Sequence, residues 1–225
     1  MKKYGFYRVA GASASLKVAD PIYNVSNIIE KIDEAIKQSV DIICFSELSL
    51  SGFTCKDMFF YDSLIEECKN ALDNLLVYLE YKKITVLIGM PIRFRDKLYD
   101  SCVVINNGKI KGVTSRKELA DVSRWFSNKG TKEHYIDIND NTKDYYSKIR
   151  AAYDDVDYGA EELVKFNNDF IFSLEKLCFG VTFGDSKYSE VEQMVNNGAD
   201  LIFNLGSSNE VMGSYQSLKD KIKGY

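Results

Sequence analysis

The 225-residue sequence predicts one α/β domain that contains a mixed β-sheet. Twice in the first part of the chain, a segment with the apolar spacing of a helix is followed by a short apolar run typical of a buried strand. Further along, an Asn-Gly pair between two strand-like runs indicates a hairpin, so part of the sheet is antiparallel. A chain of this length can bury a sizeable core.

The first two predicted helices are amphipathic. Apolar side chains recur at three- and four-residue intervals over the ranges 22–40 and 63–80, which gives each helix one face to bury. An apolar run follows each of them, at Ile42–Phe45 and at 84–90, and Pro91 is expected to end the second strand. Helices that alternate with such strands are typical of a sheet with helical cover.

The rest of the chain is less regular. Strand-like runs at 102–105 and 109–113 flank the turn at 106–108. The range 126–168 is polar and rich in aspartate, so we expect a long surface excursion with one short helix near 148–153. The final regular elements are a strand over 177–183, a helix over about 188–197 and a strand over 199–204.

The sequence also carries a weak internal echo. Asp41 opens the run that delivers Glu47, and Asp200 opens the run that ends at Asn204. Each segment follows a predicted helix and places a polar residue at the carboxyl end of a strand, where open α/β sheets bind their ligands. The echo suggests two similar halves that face each other.

Composition excludes several functional classes. The chain has 29 basic and 33 acidic residues, a net charge of −4 and no basic stripe, which argues against nucleic-acid binding. It contains no apolar run of the roughly 18 residues that a membrane span requires. We therefore expect a cytoplasmic protein that binds neither nucleic acid nor membrane.

The cysteines and the single histidine give no metal or disulfide pattern. Five cysteines form an odd set without a C-x-x-C pair, and His134 lies alone in a polar stretch. Cys44, Cys68 and Cys102 fall at core positions, whereas Cys55 lies in a predicted loop, where a thiol can be exposed. The sequence predicts no metal and no cofactor.

Several stretches resemble one enzyme family. The sequence at 45–53, Phe-Ser-Glu-Leu-Ser-Leu-Ser-Gly-Phe, is similar to the glutamate motif of the nitrilase, or carbon–nitrogen hydrolase, superfamily. The stretches at 4–10, 54–60 and 204–210 narrow the resemblance to the glutaminase domain of glutamine-dependent NAD synthetases. The similarity runs in order over nearly the whole chain and implies a nitrilase-like α-β-β-α sandwich.

In that family a cysteine thiolate attacks the amide, a glutamate acts as general base and a lysine stabilises the oxyanion. By resemblance, Glu47 occupies the glutamate position. Counting back from Leu119 places Arg116, not Lys117, at the lysine position. A one-residue slip would turn Lys117 to the opposite face of a strand, so it is a poor substitute.

The nucleophile position is where this sequence departs most from the family. Gly184 stands where the motif has its cysteine. Cys178 lies six residues upstream, which is roughly 20 Å along a strand, and Ser186 has no nearby histidine to activate it. By analogy with serine hydrolases, loss of the nucleophile removes roughly six orders of magnitude in turnover.

The expected substrate pocket is altered as well. Asp185 is a shortened version of the glutamate that follows the family's cysteine, and Ser208 lies in the loop that resembles the late glutamine-binding loop; both are predicted substrate-binding residues. The loop before Arg124 is short and lacks an auxiliary glutamate. Ser214 replaces a basic residue that would pair with the substrate carboxylate. The resemblance therefore implies a degenerate active site.

Three functions stay open at this point. The chain is a catalytically inactive carbon–nitrogen hydrolase-like domain, a regulatory or scaffold subunit that binds an NAD synthetase or a small carboxylate or amide, or an active hydrolase with an altered nucleophile or substrate. The resemblance also implies homo-oligomers. Because the family continues with further strands and a synthetase domain, we expect residues 1–225 to form a single domain that is truncated at its C-terminal end.

Overall fold

The structure is a computed structural model that describes residues 5–94, 97–119, 122–127, 135–137, 171–184, 186–207, 216 and 219–220. Within these ranges the helices are α1 (Pro21–Lys37), α2 (Asp62–Leu79) and α3 (Tyr188–Asn196), with a 3-10 segment at Phe53–Phe60. The strands are β1 (Val9–Ala12), β2 (Ile42–Phe45), β3 (Thr85–Phe94), β4 (Lys97–Asn106), β5 (Lys109–Ser115), β6 (Tyr135–Asp137), β7 (Ile171–Leu174), β8 (Leu177–Phe183) and β9 (Leu201–Leu205).

These strands form two mixed sheets. The first sheet has the order β1-β2-β3-β4-β5, with parallel pairing from β1 to β3 and antiparallel pairing from β3 to β5. The second sheet has the order β6-β7-β8-β9, in which only the central β7–β8 pair is antiparallel. The prediction of mixed pairing is therefore confirmed.

The core is divided into layers by the alternation of side chains along each strand. In β2, Ile43 and Phe45 pack in the cluster under α1 and α2, whereas Ile42 and Cys44 face the layer between the sheets. That middle layer is closed by apolar side chains of β8 and β9, and Met194 of α3 packs on the outer face of the second sheet. The order helix, sheet, sheet, helix confirms the predicted α-β-β-α sandwich.

Helix α1 begins at a strong start signal. The Asp20 side chain accepts a hydrogen bond from the Tyr23 amide at 3.0 Å, and Pro21 occupies the first turn. Helix α1 ends at Lys37, three residues before the predicted end at position 40, whereas the predicted limits of α2 hold to within one residue.

The expectation that Pro91 ends the second strand is wrong. Strand β3 continues to Phe94, and Pro91 pairs in register with Asp100 of β4. The pairing of β2 with β3 ends at Leu87, so beyond that point β3 has its β4 neighbour on one side only, where a missing amide donor is tolerated.

The Asn-Gly hairpin is confirmed. Asn107 and Gly108 both have positive φ, at 52° and 70°, as a two-residue type I′ turn between β4 and β5 requires.

The polar excursion is only partly described. The short strand β6 lies within it, contrary to the expectation of an irregular segment with at most one helix. Three residues are too few to show a period, and the partner strand β7 is distant in sequence. The predicted helix near 148–153 and His134 lie outside the described residues.

The internal echo corresponds to the same local structure in each sheet. The Asp41 carboxylate accepts from the Arg8 amide at 2.7 Å, and the Asp200 carboxylate accepts from the Cys178 amide at 2.9 Å. In return, the Asp41 amide donates to the Arg8 carbonyl at 2.7 Å, and the Asp200 amide donates to the Cys178 carbonyl at 2.8 Å. Both carboxylates therefore secure the start of a parallel strand pair.

The cysteines are free thiols. Cys44, Cys68 and Cys102 are buried as predicted, and burial raises the pKa of Cys44 to about 12. Cys55 is also buried, with 3% exposure, because its thiol points into the protein and contacts the Ser51 carbonyl at 3.1 Å; the expected loop exposure is wrong.

Among the described helices, none is both long enough and apolar enough to cross a bilayer.

Candidate functional site

Residues from both sheets meet at one end of the layer between them. Glu47 follows β2 and Arg116 follows β5, which run in the same direction in the first sheet. Gly184 follows β8 and Ser207 follows β9, which are parallel in the second sheet. The carboxyl ends of these four strands deliver the four residues to one place.

Glu47 is positioned by a turn that packs directly on β3. A β-carbon at Gly89 would lie 2.4 Å from the Leu48 amide nitrogen and 2.5 Å from the Ser46 carbonyl oxygen. The Leu50 amide also donates to the Gly89 carbonyl at 3.1 Å. Only glycine allows the turn to approach this closely, so Gly89 determines where Glu47 lies.

The family motifs and the apolar pattern do not single out Gly89. The available signal is a lone glycine inside the apolar run of β3, a pattern that often marks close approach of another backbone.

Glu47 and Arg116 form a buried ion pair. The Arg116 Nη1 donates to Glu47 Oε1 at 2.6 Å, and the two side chains are 5% and 0% exposed. The Arg116 Nε donates to the Glu118 carbonyl at 2.6 Å. Charge-assisted bonds of this length are strong, and together they set the orientation of the guanidinium plane.

Ser207 holds Glu47 from the second sheet. Its amide donates to Glu47 Oε2 at 3.2 Å, and its hydroxyl donates to the Glu47 backbone carbonyl at 3.1 Å. Both carboxylate oxygens of Glu47 therefore accept hydrogen bonds. The family resemblance points to the loop that contains Ser207, but the residue predicted there is Ser208. Ser208 lies outside the described residues, as does Asp185.

Gly184 faces the guanidinium group of Arg116. Its amide donates to the Leu205 carbonyl at 2.8 Å, and its φ is +39°. A β-carbon at this position would lie 3.4 Å from Arg116 Nη2 and 3.7 Å from Cζ, which is ordinary van der Waals contact. A methyl group fits there, but a longer side chain directed this way would have to share the space with the guanidinium.

The other candidate residues have different surroundings. Arg116, rather than Lys117, provides the cation at Glu47, and Lys117 is half-buried. Cys178 lies near the start of β8, while Gly184 follows its end. The Ser186 hydroxyl donates to the Phe183 carbonyl at 2.8 Å and accepts from the Phe183 amide at 3.1 Å, so it closes a turn.

A second, exposed ion pair lies beside the buried one. Lys187, at the start of α3, contacts Glu118 at 2.7 Å, and the hydrogen bond to this carboxylate raises the pKa of Lys187. The pair connects the loop after β5 in the first sheet to the helix of the second sheet.

Glu47, Arg116 and Gly184 thus lie together at one end of the sandwich. Similarity to known proteins extends over nearly the whole chain. The sequence profile of carbon–nitrogen hydrolases matches residues 8–218. The chain belongs to the carbon–nitrogen hydrolase family. Its two mixed sheets, covered by helices, are the framework of this carbon–nitrogen hydrolase domain.

Curated relatives narrow the similarity. The glutamine-dependent NAD(+) synthetase of Aquifex aeolicus (strain VF5) is 30% identical over 133 residues, which cover 57% of this chain and 23% of that protein. The corresponding synthetase of Mycobacterium tuberculosis (strain H37Rv) is 28% identical over 117 residues, covering 52% and 17%. This carbon–nitrogen hydrolase chain therefore matches less than a quarter of the length of either relative.

Solved structures share the fold. A glutamine-dependent NAD(+) synthetase from Cytophaga hutchinsonii superposes with a TM-score of 0.73 at 24% identity, over 97% of this chain and 33% of that chain. A mutant amidase from Nesterenkonia sp. AN1, in complex with butyramide, gives a TM-score of 0.65 at 11% identity, over 89% and 65%. The predicted nitrilase-like fold and the likeness to NAD synthetases are both confirmed.

Proposed function

We propose that this carbon–nitrogen hydrolase domain, which is related to the glutaminase domain of NAD synthetases, does not hydrolyse amides. The observation that carries the proposal is the environment of Gly184. Gly184 lies beside Arg116, the partner of Glu47, and it supplies no side chain, whereas the family chemistry needs a thiolate.

The hydrogen bonds made by Glu47 and Arg116 also support the proposal. Family chemistry requires a carboxylate that takes a proton and a cation that meets a developing oxyanion. Here the guanidinium donates to Glu47 itself, and the second oxygen of Glu47 accepts from Ser207. In this structure both groups are therefore engaged by protein partners.

Ammonia release from glutamine and from butyramide tests the proposal. At high protein concentration, we expect the wild-type chain and Glu47→Gln to give the same rate as buffer. Turnover by the wild type that Glu47→Gln abolishes would contradict the proposal and favour an active hydrolase with an unrecognised nucleophile.

The partner hypotheses are separate proposals. A small carboxylate bound near Gly184 would need a cation as its partner. Because Arg116 is already paired with Glu47, this ligand is not favoured. A homo-oligomer, or a complex with an NAD synthetase, stays a prediction that size-exclusion chromatography of the chain alone and with such an enzyme would check. The cytoplasmic location likewise stays a prediction.

A further inference from the structure

We propose that the Arg116 side chain fills the former reaction site, where its guanidinium group holds Glu47, the residue to which Ser207 of the second sheet is bound. The inference rests on the proposed loss of catalysis and deepens it. In this interpretation the site has changed from one that receives a ligand to one that is filled by the protein's own cation.

The guanidinium of Arg116 lies among protein groups of the site. On one edge it donates to Glu47 Oε1, on another to the Glu118 carbonyl, and its Nη2 atom lies 3.4 Å from the place of a β-carbon on Gly184. The Arg116 side chain is only 5% exposed. The group thus lies between the carboxylate and the residue at the nucleophile position, surrounded by protein.

The connection between the sheets at this site runs through Glu47. Arg116 and Glu47 belong to the first sheet, whereas Ser207 and Gly184 belong to the second. The bond to Arg116 neutralises the charge of Glu47, and Ser207 binds the second carboxylate oxygen as well as the Glu47 carbonyl. The ion pair thus lies within the first sheet, and Ser207 connects its carboxylate to the second sheet at this end of the sandwich.

An arginine suits this position better than a lysine. A planar guanidinium donates along several fixed directions, which allows one group to serve both Glu47 and the Glu118 carbonyl. A lysine ammonium is a compact charge without this fork. The broad guanidinium also needs the space that an extended side chain at position 184 would take, so Arg116 and Gly184 are a matched pair.

A physical consequence follows from this arrangement. Truncation of Arg116 leaves a cavity bordered by a carboxylate and a backbone carbonyl, both acceptors that had been bound to a guanidinium. Free guanidinium ion has the charge, the planar shape and the donors to fill that cavity. The truncated protein should therefore bind it, and binding to the folded state raises the melting temperature.

The test compares Arg116→Ala with Arg124→Ala, in each case by thermal unfolding with and without added guanidinium chloride. Arg124 is a matched control, since it pairs with Asp57 at 3.1 Å on the surface, where the two side chains are 67% and 62% exposed. The concentration used is about 10 mM, far below the molar range that unfolds proteins. Sodium chloride at the same concentration controls for ionic strength. Urea at the same concentration controls for a planar molecule of similar shape that carries no charge.

We expect guanidinium to raise the melting temperature of Arg116→Ala by on the order of 3 °C, with no rise for the wild type or Arg124→Ala. Sodium chloride and urea should give no rise in any variant. Absence of a selective rise in folded Arg116→Ala overturns the inference. Because the measurement uses no amide substrate, this result is independent of the hydrolysis assay.

A second pair of variants applies if Arg116→Ala does not fold. Arg116→Lys keeps the charge but loses the guanidinium fork, so we expect it to melt on the order of 5 °C below the wild type. Arg124→Lys should melt within about 1 °C of the wild type. Equal melting temperatures for the two lysine variants would overturn the inference.

Discussion

Two arginine–carboxylate pairs in this protein lie in opposite environments. Glu47 and Arg116 meet at 2.6 Å with almost no exposure, whereas Asp57 and Arg124 meet at 3.1 Å in the solvent. Water screens the exposed pair and can replace either partner, but it has little access to the buried pair. The same chemical contact is therefore optional at the surface and required inside the site.

The largest expected effect comes from breaking the buried pair. Glu47→Ala leaves the Arg116 guanidinium buried without its carboxylate, and we expect a loss of about 3–5 kcal/mol in the free energy of unfolding. Urea unfolding monitored by fluorescence measures the loss. A value below about 1 kcal/mol would place Glu47–Arg116 in the same class as the surface pair.

The next effect concerns the packing that positions Glu47. In Gly89→Ala the new methyl group would overlap the backbone of the 46–48 turn, which must move, and we expect a loss of about 3 kcal/mol. Gly11→Ala in β1 is the matched control, because a β-carbon there has no atom within 4 Å. The same urea experiment serves both variants, and equal stability would show that the turn is not held by close approach at Gly89.

A smaller effect is expected on the opposite side of the site. At Gly184 a β-carbon has ordinary contact with Arg116, so the main cost of Gly184→Ala is its positive φ, about 1 kcal/mol. If unfolding shows a loss as large as that of Gly89→Ala, the space beside the guanidinium is tighter than the structure indicates.

The smallest effect should come from the exposed pair. Arg124→Ala is expected to cost between about 0 and 1 kcal/mol, and added salt should diminish the difference from the wild type. The cost of Glu47→Ala should persist in about 1 M salt, because ions screen buried charges much less. A salt-insensitive loss in Arg124→Ala would remove the contrast between the pairs.

Much of the fold is predictable from local patterns. The amphipathic spacing of α1 and α2 and the Asn107–Gly108 turn each depend on residues close together in the chain. The ordered family motifs also selected Glu47, Arg116 and Gly184, which the structure brings together; their assignment as the family's site positions stays a prediction. Errors occurred where a distant neighbour decides the outcome, as with Pro91 in β3, the short strand β6 and the burial of Cys55.

Sequence by itself determined the α/β class, the family and the absence of a cysteine at position 184, because these properties depend on residue identity and order. Tertiary structure alone decided that Arg116 binds Glu47, that Gly89 admits the turn and that Ser207 closes the site from the second sheet. Those contacts join residues far apart in the chain. Their distances depend on how two sheets pack together, and no local pattern encodes that packing.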